Sequence, residues 1–277
     1  MAQNKIYIYG RHALEEVLTN APRAVRKIYF AREMRDQKLR QLAKESRLPI
    51  EDLDERKVTS WVEGNAPHQG AVALITLTDL LIPFEKWLDE GNTTAGGAPQ
   101  RDGARTEQIP SKESVYPKAV GVAAGTSLVL LNEVQDPHNV GAIIRSAAAF
   151  GASAVLMPES KQSPVTGAVI KASAGMAFSL PLVQVKNIPQ AVSELKKKGF
   201  RAYGLAGEGK QSLSEEQFDA PALFILGNES KGLPQKTAQI CDRILSIPIE
   251  EHAESLNVAA AAAITLYAWH TKHPSKS

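Results

Sequence analysis

Three short polar clusters in the C-terminal half carry the residue types that could hold and orient a substrate. Asn139-Val-Gly-Ala-Ile-Ile-Arg145 combines an amide, a glycine and a guanidinium. Gly227-Asn-Glu229-Ser-Lys-Gly232 sets a carboxylate between two glycines, and Ile247-Pro-Ile-Glu-Glu-His-Ala-Glu-Ser255-Leu256-Asn257 ends on a hydroxyl and an amide. Arg145 stands in an otherwise small and apolar helical pattern, so its guanidinium must reach a specific partner or extend to solvent. Glu229 could accept from a hydroxyl, an amine or an arginine, or simply complement a helix start. Asn139 and Ser255 both read as helix N-caps, and Asp136-Pro137 as a turn. Asn257 is less easily explained by capping, since Ala or Leu would be the better helix former one turn in.

Common catalytic signatures are missing. The first strand of the C-terminal half is not followed by Gly-x-Gly-x-x-Gly, and no Walker pattern occurs. Gly204-Leu-Ala-Gly207-Glu-Gly209 has the wrong spacing for a dinucleotide loop and reads as a turn. The six histidines lack metal-ligand spacing, so no metal site is expected, and no Ser-His-Asp set is recognisable.

The elements that must position the clusters follow from periodicity. From Ser127 onward, strands at 128–134, 154–157, 182–185, 201–205, 223–226 and 244–249 alternate with helices at 139–150, 165–176, 189–198, 234–241 and 255–271. Unbroken apolar strands alternating with helices predict an α/β fold, a mostly parallel sheet with helices on both faces. Each cluster then lies where a strand runs out into a loop, which is where such sheets collect ligands. Residues 5–80 predict a small α/β domain, with strands at 6–9, 25–31 and 72–77 and helices at 11–19 and 35–46. Residues 90–118 are almost free of large apolar side chains and cannot offset their ordering entropy. The expected organisation is a domain over 1–82, a flexible linker over 83–122 with its hinge near Pro83, and a second domain over 123–277.

Composition bounds the partners. Hydrophobic residues make up 43% of 277, enough for a well-buried core. One cysteine, Cys241, excludes an intramolecular disulfide and reads as a small core residue. No apolar run reaches membrane-spanning length and the first residues lack a signal-peptide pattern, so a cytoplasmic protein without membrane contact is expected. Net charge is +2, but Arg23 to Arg47 hold nine Lys or Arg against three acids. That local surplus suits phosphate contacts even in a near-neutral protein.

Taken together, Asn139…Arg145, Gly227-x-Glu229-x-x-Gly232 and Ile247-Pro…Ser255-Leu256-Asn257 resemble the three motifs of the SpoU (TrmH-type) RNA 2'-O-ribose methyltransferases of the SPOUT superfamily. Tyr9-Gly-Arg11-His-Ala-Leu-Glu-Glu-Val-Leu and His68-Gln69-Gly70 are similar to the small RNA-binding domain attached to 23S rRNA guanosine methyltransferases. The resemblance implies a C-terminal trefoil knot, a homodimer and S-adenosylmethionine lying against Gly207, Gly227, Ile247 and Leu256. It implies catalytic roles for Asn139, Arg145, Glu229, Ser255 and Asn257, and RNA contacts through Arg11, Arg23, Arg26, Lys27 and Arg32. Ala259 departs from the family, many of whose members carry Ser there, and the linker is long. The same reaction on a tRNA D-loop guanosine, or an idle RNA-binding assembly factor, are the alternatives.

Overall fold

A computed structural model describes residues 5–61, 68–77, 80–92, 125–250 and 252–274. The N-terminal part runs β1 (Lys5–Tyr9), α1 (Arg11–Asn20), β2 (Val25–Phe30), α2 (Gln37–Glu45), β3 (Ile50–Asp52), α3 (Glu55–Trp61) and β4 (Ala71–Thr76). Its sheet has the order β1-β4-β2-β3, with β4 antiparallel to both β1 and β2, and β3 parallel to β2. Ile8, Ile28, Ala73 and Ile75 point to one face, where Leu14, Val17 and Leu39 from α1 and α2 cover them. The short β3 and α3 are polar outside Ile50, Val58 and Trp61, which is why periodicity alone passes over them.

β5 (Leu81–Pro83) and α4 (Phe84–Asn92) follow. β5 leaves the first domain and adds itself, parallel, to the edge of the second domain's sheet beside β8 (Leu182–Val185). Phe84 and Trp87 of α4 are buried against Val183 and Leu195. The expected linker is therefore corrected at its start: 83–92 is ordered because two aromatics anchor it. Its remainder, 93–122, lies outside the described residues.

The second domain continues with β6 (Ser127–Leu131), α5 (Pro137–Ala149), β7 (Ala154–Pro158), α6 (Gly167–Ala172), β8, α7 (Ile188–Lys197), β9 (Arg201–Leu205), β10 (Gln211–Ser212), β11 (Ala222–Leu226), α8 (Gln235–Ala238), β12 (Arg243–Ser246) and α9 (Val258–Lys272). All eight strands of its sheet are parallel, in the order β10-β12-β9-β11-β6-β7-β8-β5. Alternate residues of each central strand feed two cores. Val129, Leu131, Phe224 and Leu226 face α5, α6 and α9, whereas Leu128, Leu130, Leu223 and Ile225 face α4 and α7. Burial on both faces explains why these strands read as unbroken apolar runs. The helix expected over 165–176 is shorter, because Ala174 and Gly175 take left-handed backbone and break it before a turn at 176–178.

The two domains share one core. Ile8, Leu14 and Val17 belong to the same buried cluster as Val169, Ile170 and Phe178. At that seam Asn20 Nδ2 donates to Glu16 (2.8 Å) and to Ser179 Oγ (3.0 Å), and Ser179 Oγ donates to Glu16 (3.0 Å). Lys171 Nζ lies 5.4 Å from the centre of the Tyr9 ring.

Candidate active site

The site forms where the C-terminal ends of β6, β11 and β12 release their loops, and capping decides much of its geometry. α5 is capped by Asp136, whose Oδ1 accepts from His138 N at 2.9 Å, not by Asn139. Asn139 thus sits inside the first turn, free to use its amide elsewhere. α9 begins at Val258 and not at 255; its cap is Asn257, whose Oδ1 accepts from Ala259 N (2.9 Å) and Ala260 N (3.2 Å). Ser255 is exposed and precedes the helix, so both capping expectations are corrected. With Oδ1 occupied, Asn257 Nδ2 points outward and donates to Asn139 Oδ1 at 2.9 Å.

Glu229 completes the network. Its carboxylate accepts from Gln135 N (3.1 Å), Asp136 N (3.0 Å), Asn139 Nδ2 (3.3 Å) and Asn228 Nδ2 (3.3 Å). Partial burial alone would push the carboxyl up. The amides of Asp136, Gln135 and its own residue, with Asn139, outweigh that and hold it below the usual carboxylate range. Glu229 is therefore a fixed acceptor at neutral pH, gripping the loop that starts α5. Glu229, Asn139 and Asn257, from the three sequence clusters, form one hydrogen-bonded chain.

Arg145 and Ser255 are not part of that chain. Arg145 projects from α5 one turn beyond Gly141, is exposed, and has no hydrogen bond or ion pair to any described residue. Gly141 itself is dictated by packing: a Cβ there would lie 2.4 Å from Ala172 Cβ and 2.7 Å from Val169 O.

Three of the four residues expected to line a cofactor stand at neighbouring strand ends. Gly207 follows β9, Gly227 follows β11 and Ile247 follows β12, which lie side by side as β12-β9-β11. Gly227 is glycine for a reason internal to the chain, since a Cβ would come within 2.4 Å of Gly232 C and O. That turn closes with Asn228 N donating to Gly232 O and Gly232 N to Asn228 O, both at 2.9 Å. Gly207 differs: it is exposed, and a Cβ there would meet nothing within 4 Å. Leu256 and Ile249 are apolar yet 36% and 40% exposed on the loop after β12. Open backbone at Gly207 and uncovered aliphatic side chains on the loop after β12 suit a ligand with a flat ring and polar edges, as S-adenosylmethionine has.

A second titratable cluster escaped sequence reasoning. Fully buried Glu216 is held by Arg243, by Gln211 Nε2 (2.9 Å) and by Tyr203 OH (3.2 Å), while Lys272 of α9 donates to its carbonyl. Burial raises the Tyr203 hydroxyl to about 12. This cluster ties α9 to the β10-β12-β9 edge and lies outside the site network. Among the described residues no group of His, Cys, Asp and Glu could hold a metal, and no helix is long and apolar enough to cross a membrane.

Known proteins match both parts of the chain. Residues 126–267 match the SpoU rRNA Methylase family, and residues 7–79 match the domain described as RNA 2'-O ribose methyltransferase substrate binding. A 23S rRNA (guanosine-2'-O-)-methyltransferase RlmB of Pseudomonas syringae pv. tomato is 33% identical over 267 residues, covering 94% of this chain and 93% of the relative. The protein of the same description from Pseudomonas putida is 31% identical over 263 residues, 94% of each chain. The fold is similar to that of the SpoU methyltransferase AviRb from Streptomyces viridochromogenes, solved with AdoMet, at a TM-score of 0.72 and 23% identity over 99% of this chain and 92% of that one. With both domains matched in order and a relative one-third identical along nearly its full length, the chain belongs to the SpoU rRNA methylase family.

Proposed function

We propose that this chain transfers a methyl group from S-adenosylmethionine to the 2'-hydroxyl of a guanosine ribose in 23S rRNA. The observation that carries the reading is the Glu229–Asn139–Asn257 chain, which joins three distant segments at one sheet edge.

When bound against Gly207, Ile247 and Leu256, S-adenosylmethionine supplies a methyl already activated by sulfonium charge. The protein's work is then orientation and exclusion of water. Glu229 fixes the loop of Gln135 and Asp136, Asn139 bridges to Asn257, and the bridge presents amide edges to the ribose. Ser255 is exposed two residues ahead of Asn257 and would orient the same loop. A ribose hydroxyl held there would have to give up its proton for its oxygen to take the methyl. A guanidinium holds its protons too tightly to accept one, so Arg145 serves as a two-pronged clamp on the adjacent phosphate, and the proton passes to phosphate or water. Its freedom from any described ion pair leaves both prongs available.

The N-terminal domain supplies RNA affinity through its basic side chains, for which Arg11, Arg23, Arg26, Lys27 and Arg32 are the candidates. A second copy of the chain covers the α9 stripe, where Ile264 is 40% and Tyr267 58% exposed, giving a homodimer. The loops after β11 and β12 belong to a trefoil knot in this reading, and the protein works in the cytoplasm where its RNA is made.

The test is to incubate the protein with labelled S-adenosylmethionine and unmodified 23S rRNA or tRNA, then map 2'-O-methylated nucleosides by mass spectrometry. Methylation of one 23S guanosine is expected. Transfer to tRNA alone would redirect the substrate, and transfer to neither would sink the enzyme reading.

A further inference from the structure

The loop leaving β6 is held by side chains where regular structure would otherwise hold it. Three consecutive amides, of Val134, Gln135 and Asp136, each donate to a side-chain acceptor. Glu229 takes the second and third. The first goes to Gln162 Oε1 at 3.0 Å, on the loop that leaves the neighbouring strand β7. Ser163 N returns a bond to Val134 O at 3.0 Å, so buried Val134 is gripped on both its polar groups by residues 162–163. Two further observations mark this junction. Glu133 and Lys161, neither of them glycine, take left-handed backbone (φ 66 and 57) and face each other across the two loops as a 3.6 Å ion pair. Such backbone persists only where its surroundings over-determine it. In addition, Gln162 Nε2 is buried without a partner among the described residues. The amide oxygen satisfies Val134 N while the amide nitrogen stays orphaned, so what this side chain contributes is its grip on the exit of β6.

We infer that Gln162 is a positioning residue of the methyl-transfer site. It sets the exit of β6 so that the next two amides meet Glu229 and Asn139 stands between Glu229 and Asn257. The inference rests on the proposed methyl transfer only for its activity readout. Gln162 lies in none of the three motifs and has no hydrogen bond to their side chains among the described residues, so its effect is expected to pass through the backbone of 134–136.

The experiment measures single-turnover methyl transfer at saturating RNA and S-adenosylmethionine, calorimetric affinity for S-adenosylhomocysteine, and amide exchange at residues 134–136. Gln162→Met is expected to slow transfer about tenfold with cofactor affinity unchanged within about twofold. In an Asn139→Ala background the same change is expected to cost less than about twofold, because the group being positioned is gone. Gln162→Glu keeps the acceptor oxygen and is expected to stay within about threefold of the parent. Amide exchange in Gln162→Met should quicken at Gln135 and Asp136 as well as at Val134.

Wild-type transfer by Gln162→Met, an equal loss in the Asn139→Ala background, or a Gln162→Glu as slow as Gln162→Met would each overturn the inference. If Gln162→Met loses its native circular dichroism, Gln162→Ser takes its place with the same expectations. Should the parent protein transfer no methyl at all, the functional reading fails. The positioning role is then decided by exchange alone, and quickening confined to Val134 would reject it.

Discussion

At the scale of single residues, Asn257 does two jobs with one amide. Its oxygen caps α9 and its nitrogen reaches Asn139, so the cap fixes which atom faces the site. The two jobs separate by substitution. Asp caps a helix as well as Asn but offers no donor to Asn139 Oδ1, whereas Ala loses both. Asn257→Asp is therefore expected to melt within about 1 kcal/mol of the parent and to lose tenfold or more in methyl transfer, and Asn257→Ala to lose about 1 kcal/mol as well. Thermal melts beside transfer rates check this; an active Asn257→Asp would leave Asn257 as a cap alone. Glu229 makes a prediction of opposite kind. Its folded carboxyl titrates below the ordinary range, so its stabilising effect is complete above the unfolded value of roughly 4.3 and is lost as pH falls through the lower folded one. The Tm advantage of the parent over Glu229→Gln should be constant from about pH 5 to 7 and shrink below about pH 4. An advantage unchanged at low pH would mean that the charge is not what the amides grip.

At the scale of elements, the clusters were legible as strand-end features, while their local geometry was not. Asn139 stands two residues after Asp136-Pro137 and suited a cap, but Asp136 took that place because Pro137 occupies the first helical position. Ser255 suited a cap for the same reason, yet the helix starts later, at a run of alanines that any upstream polar residue could have opened. Unbroken apolar strands gave the doubly covered sheet directly. β5 and α4 were hidden because Pro83 and the glycine-rich stretch beyond suggested a linker, and only the docking of Phe84 and Trp87 overrides that local signal. The turn after β11 shows how a glycine can be explained without a ligand. In Gly227→Ala the new methyl collides with backbone at Gly232 and Leu233 and not with a movable side chain. The turn must open, pulling Asn228 and Glu229 off the β6 exit. Expected are a Tm drop of several degrees and loss of S-adenosylhomocysteine binding by calorimetry. A Gly207→Ala protein, with open space at that position, should keep its Tm and weaken only in cofactor affinity.

At the scale of the whole molecule, the near-neutral total charge conceals which cations remain available to RNA. Several basic residues of the N-terminal run are already engaged within the protein: Arg11 by Asp36, Lys27 by Glu51 at 2.6 Å, Arg32 by Asp52 at 3.3 Å and Lys38 by Glu15. Arg26 reaches Thr76 and Arg40 lies over Phe30. Arg23, Arg35, Lys44 and Arg47 are exposed and have no ion pair to a described residue. A cation with an intramolecular carboxylate must give up that partner to gain a phosphate, and releases fewer counterions in doing so. On this argument the unpaired set is expected to carry more of the phosphate contact than Arg11, Lys27 and Arg32. The prediction concerns slopes, since those report phosphate neutralisation independently of sequence readout. Changing Arg23, Arg35, Lys44 and Arg47 together to Gln should flatten the plot of log affinity against log salt by about 0.7 for each phosphate that is no longer neutralised. Changing Arg11, Lys27 and Arg32 together to Gln should flatten it by less than about 0.7 in all. Filter binding of a 23S rRNA fragment across about 50 to 200 mM salt, where such slopes are well determined, measures both. Equal slopes for the two variants would mean that RNA breaks the internal ion pairs at little cost, and that pairing within the free protein does not select which cations meet its RNA.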